Sequence, residues 1–303
     1  MTFLRRHRPC HRSAAALLAL GLLVPACTGS ATPMSARSQA AAEDPGLIHV
    51  HELAVEPDGA EVYAATHTGL FRIRDGVAER VGDHFHDLMG FTITDQGDFL
   101  ASGHPDLRTS ELEVAEKPPL LGLVESRDRG QSWVPISLLG EVDFHALEVR
   151  GDTVYGADAT SGRFMVSDDG GETWSTRSQP GVTDFDVSPS DSEVIIATGG
   201  SGALRSRNGG RTWNQLQTSP LAVLAWRGKT IYGAWPDGTV VVSNDDGDTW
   251  QQRRSLPGPP EALLVTDDSV MAAAGGTGIV ASTDRGRTWN VVYRLEQPQE
   301  PSP

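Results

Sequence analysis

The sequence predicts an all-β protein, a β-propeller of six four-stranded blades, and three observations carry the prediction. An eight-residue phrase returns five times: SRDRGQSW at Ser126, SDDGGETW at Ser167, SRNGGRTW at Ser206, SNDDGDTW at Ser243 and STDRGRTW at Ser282. Its tryptophans, Trp133, Trp174, Trp213, Trp250 and Trp289, are 41, 39, 37 and 39 residues apart. Short β-branched segments bounded by Gly and Asp turns run between them, and a period near forty with that rhythm is the signature of a four-stranded blade repeated around a ring.

From its start, the chain opens MTFLRRHRPCHRSAAALLALGLLVPAC, in which Arg5, Arg6, Arg8 and Arg12 precede an apolar run too short to remain as a spanning helix. Residues 1–26 are therefore expected to be a signal peptide. The segment LVPAC resembles a bacterial lipobox, which implies that Cys27 is lipidated and anchors the protein on the outer side of the cytoplasmic membrane. Removal of four arginines from a chain of net charge −15 leaves about −19, an acidic exported protein unsuited to nucleic acid. Cys27 would be the one remaining cysteine, so no internal disulfide can form and the core must hold the fold. Residues 27–46, small and polar after the cysteine, read as a flexible tether, 47–295 as the propeller of a monomer, and 296–303 as a frayed tail.

Blade one, LIHVHELAVEPDGAEVYAATHTGLFRIRDGVAERVGD, has the strand rhythm but lacks the repeated phrase, which brings the count to six. The spelling S-x-[DN]-x-G-x-[ST]-W in the other five resembles the Asp box of the sialidase-like, BNR-repeat propellers. The resemblance implies a tight turn between third and fourth strands. Asp128, Asp169, Asn208, Asp245 and Asp284 would accept turn amides there, Gly would take a positive φ, and Trp would wedge between blades. These residues are expected to be structural. The chain also resembles the bacterial Asp-box lipoproteins commonly labelled glycosyl hydrolases or exo-sialidase-like, and similar propellers serve as assembly factors and receptors. The FRIR of blade one is not the sialidase FRIP motif, because Arg72 falls in a third strand, and the sialidase arginine triad is not evident. Whether the protein is an enzyme stays open.

The chemistry is expected where first strands line the channel. Aligning HVHELAV, HFHDLMG and DFHALEV with the first strands of blades four to six sets His51, His86, His145, Thr183, Ala222 and Glu261 in one column. Two residues earlier stand His49, His84, Asp143, Gly181, Pro220 and Pro259, and residues two apart on a strand share a face. His67 and His104 follow second strands at the same mouth, with Asp158 as the blade-three equivalent, so all seven histidines after Cys27 gather on one face of three blades, opposite the Asp boxes. Imidazoles with a carboxylate, Asp143 or Glu261, would suit zinc or copper. Asp143 and Asp87, with Glu52, are instead the candidates for a carboxylate pair of a glycoside hydrolase acting on surface or extracellular glycans. A glycan or a protein could also be the ligand of this face, as in an interaction or assembly scaffold, and the plainest alternative is a solvated channel of mutually bonded histidines. An insertion over 104–121 lies on the same side, as a lid or a tolerated loop. Met89 is expected to face the sheet packing, and Trp235 the rim, where a sugar could stack.

Overall fold

The computed structural model describes residues 44–59 and 61–295. The expected signal peptide, Cys27, most of the tether and the tail lie outside the described residues. Blade one holds β1 (Val50–Val55), β2 (Val62–Thr66), β3 (Gly69–Arg74) and β4 (Val77–Arg80); blade two holds β5 (Asp87–Ile93), β6 (Phe99–His104), β7 (Leu123–Ser126) and β8 (Val134–Ser137). Blade three comprises β9 (Phe144–Arg150), β10 (Thr153–Asp158), β11 (Arg163–Ser167) and β12 (Ser175–Ser178); blade four comprises β13 (Val182–Val187), β14 (Ile195–Gly199), β15 (Gly202–Ser206) and β16 (Asn214–Gln215). Blade five runs through β17 (Val223–Arg227), β18 (Thr230–Ala234), β19 (Val240–Ser243) and β20 (Gln251–Gln252), and blade six through β21 (Pro260–Val265), β22 (Val270–Ala274), β23 (Gly278–Ser282) and β24 (Asn290–Arg294). Each sheet is an antiparallel meander of four consecutive strands, so no blade borrows a strand from another.

The core is divided like the sequence. Six apolar clusters each lie between two neighbouring blades: Phe99 with Tyr63 joins one to two, Phe144 with Leu123 two to three, and Phe164 with Phe185 three to four. Ile231 with Ile196, then Val240 with Leu263, join blades four to five and five to six, and Phe71 with Ile279 closes six onto one. Second strands face a neighbour on both sides and are buried almost throughout, while inner strands mix buried apolar residues with polar ones. Fourth strands hold no buried residue, being exposed or half-buried throughout, because they face water.

The repeated phrase builds the turns between third and fourth strands. In blade three Ser167 Oγ donates to Asp169 Oδ1 (2.7 Å) and accepts the Gly171 amide (2.8 Å), while Asp169 accepts the amide (2.8 Å) and hydroxyl (2.6 Å) of Thr173. Gly171 adopts φ 96°, and a Cβ there would lie 2.2 Å from Leu123 Cδ2 on the previous blade, so any side chain would be strained and would have to displace Leu123. The tryptophan is the key between blades: Trp213 Nε1 donates to Gly210 O (3.1 Å) and to Ser178 Oγ of blade three (3.0 Å). Blade one replaces the phrase with the two-residue turn Asp75–Gly76, both at positive φ (50° and 81°), as a primed hairpin turn requires.

Candidate functional site

Inner strands carry a β-bulge near their start, at His51, Met89, His145, Thr183 and Glu261. A bulge residue leaves the ladder and is re-aimed. These five side chains, with Ala222 of blade five, ring a cavity of about 140 Å³ at the channel mouth. The expected column therefore stands in five blades and slips in blade two, where Met89 occupies the place given to His86 and Asp87, paired with His104 across β5 and β6, that given to His84. The slip comes from aligning Gly90 with Val55. The turn spelling corrects it, because TDQG (94–97) matches EPDG (56–59). Met89 does not point into the sheet packing, as expected, but lines the cavity.

His84 and His86 lie in the connection before β5, their rings stacked 5.0 Å apart. His86 is buried, and its Nδ1 accepts the amide of Asp106 (2.8 Å), which occupies that lone pair. Burial, followed by the charge of His84, lowers its pKa to about 4. Asp106 accepts the amide of Phe85 (3.0 Å) and, on Oδ1, the guanidinium of Arg108 (2.8 Å). Arg108 and Arg80 both lie over one ring, Phe85, at 3.6 and 3.9 Å from its centroid. The insertion is thus packed down at its root, and Leu112 and Leu121 bury into the cluster between blades one and two. Neither His84 nor His86 belongs to the group of histidines that comes together at the mouth.

That group is His49, His51 and His67, whose ligand atoms all lie within 4.8 Å of one another. His51 Nε2 is 3.0 Å from His67 Nδ1, and Asp87 Oδ1 lies 2.8 Å from His67 Nδ1 and 3.3 Å from His51 Nε2, so three heteroatoms form a small triangle. His49 adopts φ 46°, a strained conformation for a residue with a Cβ, and sets Nδ1 3.1 Å from Glu261 Oε1 across the closure of the ring. On the other side His104 lies between two carboxylates, Nδ1 3.7 Å from Asp87 Oδ2 and Nε2 3.7 Å from Asp143 Oδ2, and His145 Nε2 is 2.9 Å from Asp143 Oδ2. Imidazoles and carboxylates alternate along an arc from blade six through one and two to three. Asp158, in contrast, is consumed in its own turn by Thr160, Ser161 and Arg163.

Burial lowers the pKa of His51 and outweighs its bond to Asp87, so the ring is held neutral, the form a metal requires. Burial raises Asp87, but hydrogen bonds from His51 and His67 prevail and hold it below the ordinary carboxylate range. A carboxylate so held suits a ligand and not a general acid. Trp235 is half-buried and packs against the cluster between blades four and five, with its indole Nε1 buried.

Below the histidines the channel holds a second set of groups that the sequence reading missed, apart from Glu52. Glu148, Asp184 and Asp186 line it with Glu52, and Arg150 bonds Glu148 (2.7 Å) and Asp186 (2.6 Å). Asp184 and Asp186 reach across from β13 to accept the amides of Leu224 (2.8 Å) and Trp226 (2.6 Å) on β17, pinning blade four to blade five. Burial raises all four carboxyls, Asp184 to about 7. The signal was present as VTDFDV, acids at a period of two on an inner strand.

The BNR/Asp-box repeat profile matches residues 165–176, the box of blade three. No curated protein matches the sequence. Among solved structures, a GH74 enzyme from Niastella koreensis is similar at 15% identity and a TM-score of 0.59; the match covers 81% of this chain and 45% of that one, so the chain spans under half its length. A chain of a nidogen/laminin complex is similar at 11% identity and a TM-score of 0.59, over 74% of this chain and 89% of that one. YCF48 bound to a D1 peptide matches at 18% identity and a TM-score of 0.50, over 81% of each chain. At these identities the likeness is one of fold. The chain is a six-bladed β-propeller built on BNR/Asp-box repeats.

Proposed function

We propose that the protein binds a divalent transition ion, zinc or copper, at the mouth of its channel through His51, His67 and Asp87, with His49 beside them. The observation that carries this is the triangle of His51 Nε2, His67 Nδ1 and Asp87 Oδ1, with edges of 3.0, 2.8 and 3.3 Å. With neutral rings, protons cannot satisfy all three edges: two N–H groups aimed at Asp87 leave the nitrogens facing each other unbonded. A cation satisfies them at once. Bonds of about 2.0–2.2 Å to a tetrahedral ion set its ligands about 3.3 Å apart, so the triangle needs to open by only a few tenths of an ångström. The fold likeness to GH74 enzymes supplies no carboxylate pair, and Asp87 is better placed as a ligand than as an acid.

An ion held by this set keeps a position open toward solvent, where a glycan or protein group could bind. We place this activity outside the cytoplasm, on a lipid anchor at Cys27. Cys27→Ala should move the protein out of the detergent phase in a partition assay, and unchanged partition overturns the anchor. Metal analysis of the full chain tests the site: His51→Ala with His67→Ala should remove one equivalent of bound zinc or copper, and uptake should weaken below about pH 6, where free imidazole protonates. No uptake at micromolar free metal overturns the reading.

A further inference from the structure

The arc holds more ligand atoms than one ion can use, and those beyond the triangle are arranged as a second set. His104 Nε2, Asp143 Oδ2 and His145 Nε2 lie on blades two and three, with His104 Nε2 3.7 Å and His145 Nε2 2.9 Å from the carboxylate oxygen. These distances straddle the spacing of about 3.3 Å that a tetrahedral ion imposes. Asp143 supplies an independent sign of a missing partner. It is 4% exposed, yet its Oδ1 is buried with no hydrogen-bond donor among the described residues. A buried carboxylate oxygen without a donor is costly and calls for a cation or an ordered water.

Asp87 joins the two sets. Its Oδ1 belongs to the triangle, while its Oδ2 faces Nδ1 of His104 at 3.7 Å, the nitrogen turned away from Asp143. A small closure of that gap makes a carboxylate–imidazole–metal relay, in which Asp87 fixes the tautomer of His104 with Nδ1 protonated and Nε2 free to ligate. We infer that the mouth is a two-ion centre: a second divalent transition ion is held by His104, Asp143 and His145, and Asp87 couples it to the first by ligating one ion and orienting a ligand of the other. Nitrogen and oxygen donors without thiolate suit zinc or copper, or cobalt as a probe. This rests on the proposed first site, and the test separates the two.

Cobalt(II) is titrated into the metal-free full chain, with the visible d–d absorption and bound metal per chain as readouts. Two equivalents are expected. His104→Ala with His145→Ala should lower this to one while His51 and His67 keep their ion. Asp87→Asn, which loses a ligand charge at one site and the orienting acceptor at the other, should weaken both by roughly 10–100-fold. A wild-type count of one equivalent that is unchanged in His104→Ala with His145→Ala overturns the second site and leaves the first. A wild-type count of one equivalent that is unchanged in His51→Ala with His67→Ala but lost in the other pair overturns the first, and the coupling with it. No uptake overturns both. The wild-type titration carries the count by itself should a variant fail to fold, and melting in chelator reports folding of each.

Discussion

Asp184→Asn should stabilise the protein at neutral and alkaline pH and do little near pH 4. Asp184 sits in the channel, where burial raises its carboxyl, opposed by the amides of Leu224 and Phe185 and aided by the charge of Glu148, to about 7 from 3.8. A carboxyl raised in the folded state binds protons that the unfolded chain has released. Its contribution to stability is therefore complete below about pH 3.8 and is lost as pH rises through about 7. The shift corresponds to about 4 kcal/mol at full effect. Water in the channel and the shared titration of Glu148, Asp184 and Asp186 reduce it, and about 1–3 kcal/mol is the working expectation. Asparagine keeps an oxygen for the Leu224 amide and carries no charge. For a domain of this size that is a rise of roughly 3–10 °C in Tm at pH 8 over the wild type, shrinking toward none by pH 4. Melting is followed by circular dichroism in chelator, so that metal occupancy stays constant. The depressed pKa of His86 has the opposite pH dependence and cancels in the difference between the two proteins. A difference in Tm that is the same at pH 4 and pH 8, or a variant less stable at pH 8, refutes the reasoning.

Gly171→Ala should cost roughly 2–4 kcal/mol in denaturant unfolding, because its Cβ would lie 2.2 Å from Leu123 Cδ2 and its φ is 96°. Gly170→Ala, at φ 73° with nothing within 4 Å of its Cβ, should cost only the backbone strain, about 1 kcal/mol, and equal costs would show that packing is not the cause. Asp169→Asn should flatten the acid limb of stability without changing metal content: hydrogen bonds from Thr173 and Ser167 lower Asp169 to about 2, so its contribution is present above about pH 3.8 and is lost as pH falls through about 2. Blade four already uses Asn208, whose Nδ2 donates to Thr212 Oγ1 (2.9 Å), so the fold accepts the change; a Tm difference from wild type that is as large at about pH 2.5 as at about pH 7, or absent at both, would count against the assignment.

The ring was legible because its signals are local. Ser, Asp, Gly and Thr of one turn satisfy each other within six residues, so the phrase declares its geometry wherever it occurs, and the count of blades followed from the spacing. The mouth was legible in part for the same reason. His51 and His145 stand in strands, and His49 and Asp143 directly before them, so neighbouring turns fix their register, while Asp87 was marked only as a catalytic carboxylate. Blade two slipped by three residues because Gly90 was set against Val55, the place that Ile93 holds, which hid both Met89 in the cavity and Asp87 beside His67. The lock on His86 was not legible at all: Asp106 and Arg108 come from the insertion, and only the folded chain brings their amide and guanidinium to the imidazole and to Phe85. The channel carboxylates failed differently. VTDFDV shows them plainly, but an acid on an inner strand reads as a strand end until its partners, the amides of another blade, are known.

The seam between blades six and one is unlike the other five. Each of those is locked by a tryptophan, while the closing cluster of Leu47, Phe71, Met271 and Ile279 has none, and no strand crosses it because every sheet is complete. The ring is therefore a necklace with a clasp, fastened by side chains alone: apolar contact within, and Glu261 outside, where it receives the amide of Val50 (3.1 Å) and faces His49. The seam without a tryptophan is expected to open first, so that amides of β1 and β22 should exchange with solvent sooner than those of β14. An ion that draws His49 toward its neighbours tightens the same fastening. Occupancy of the proposed site would then govern how often the necklace opens, and exchange at Val50 that is indifferent to added zinc would separate the two.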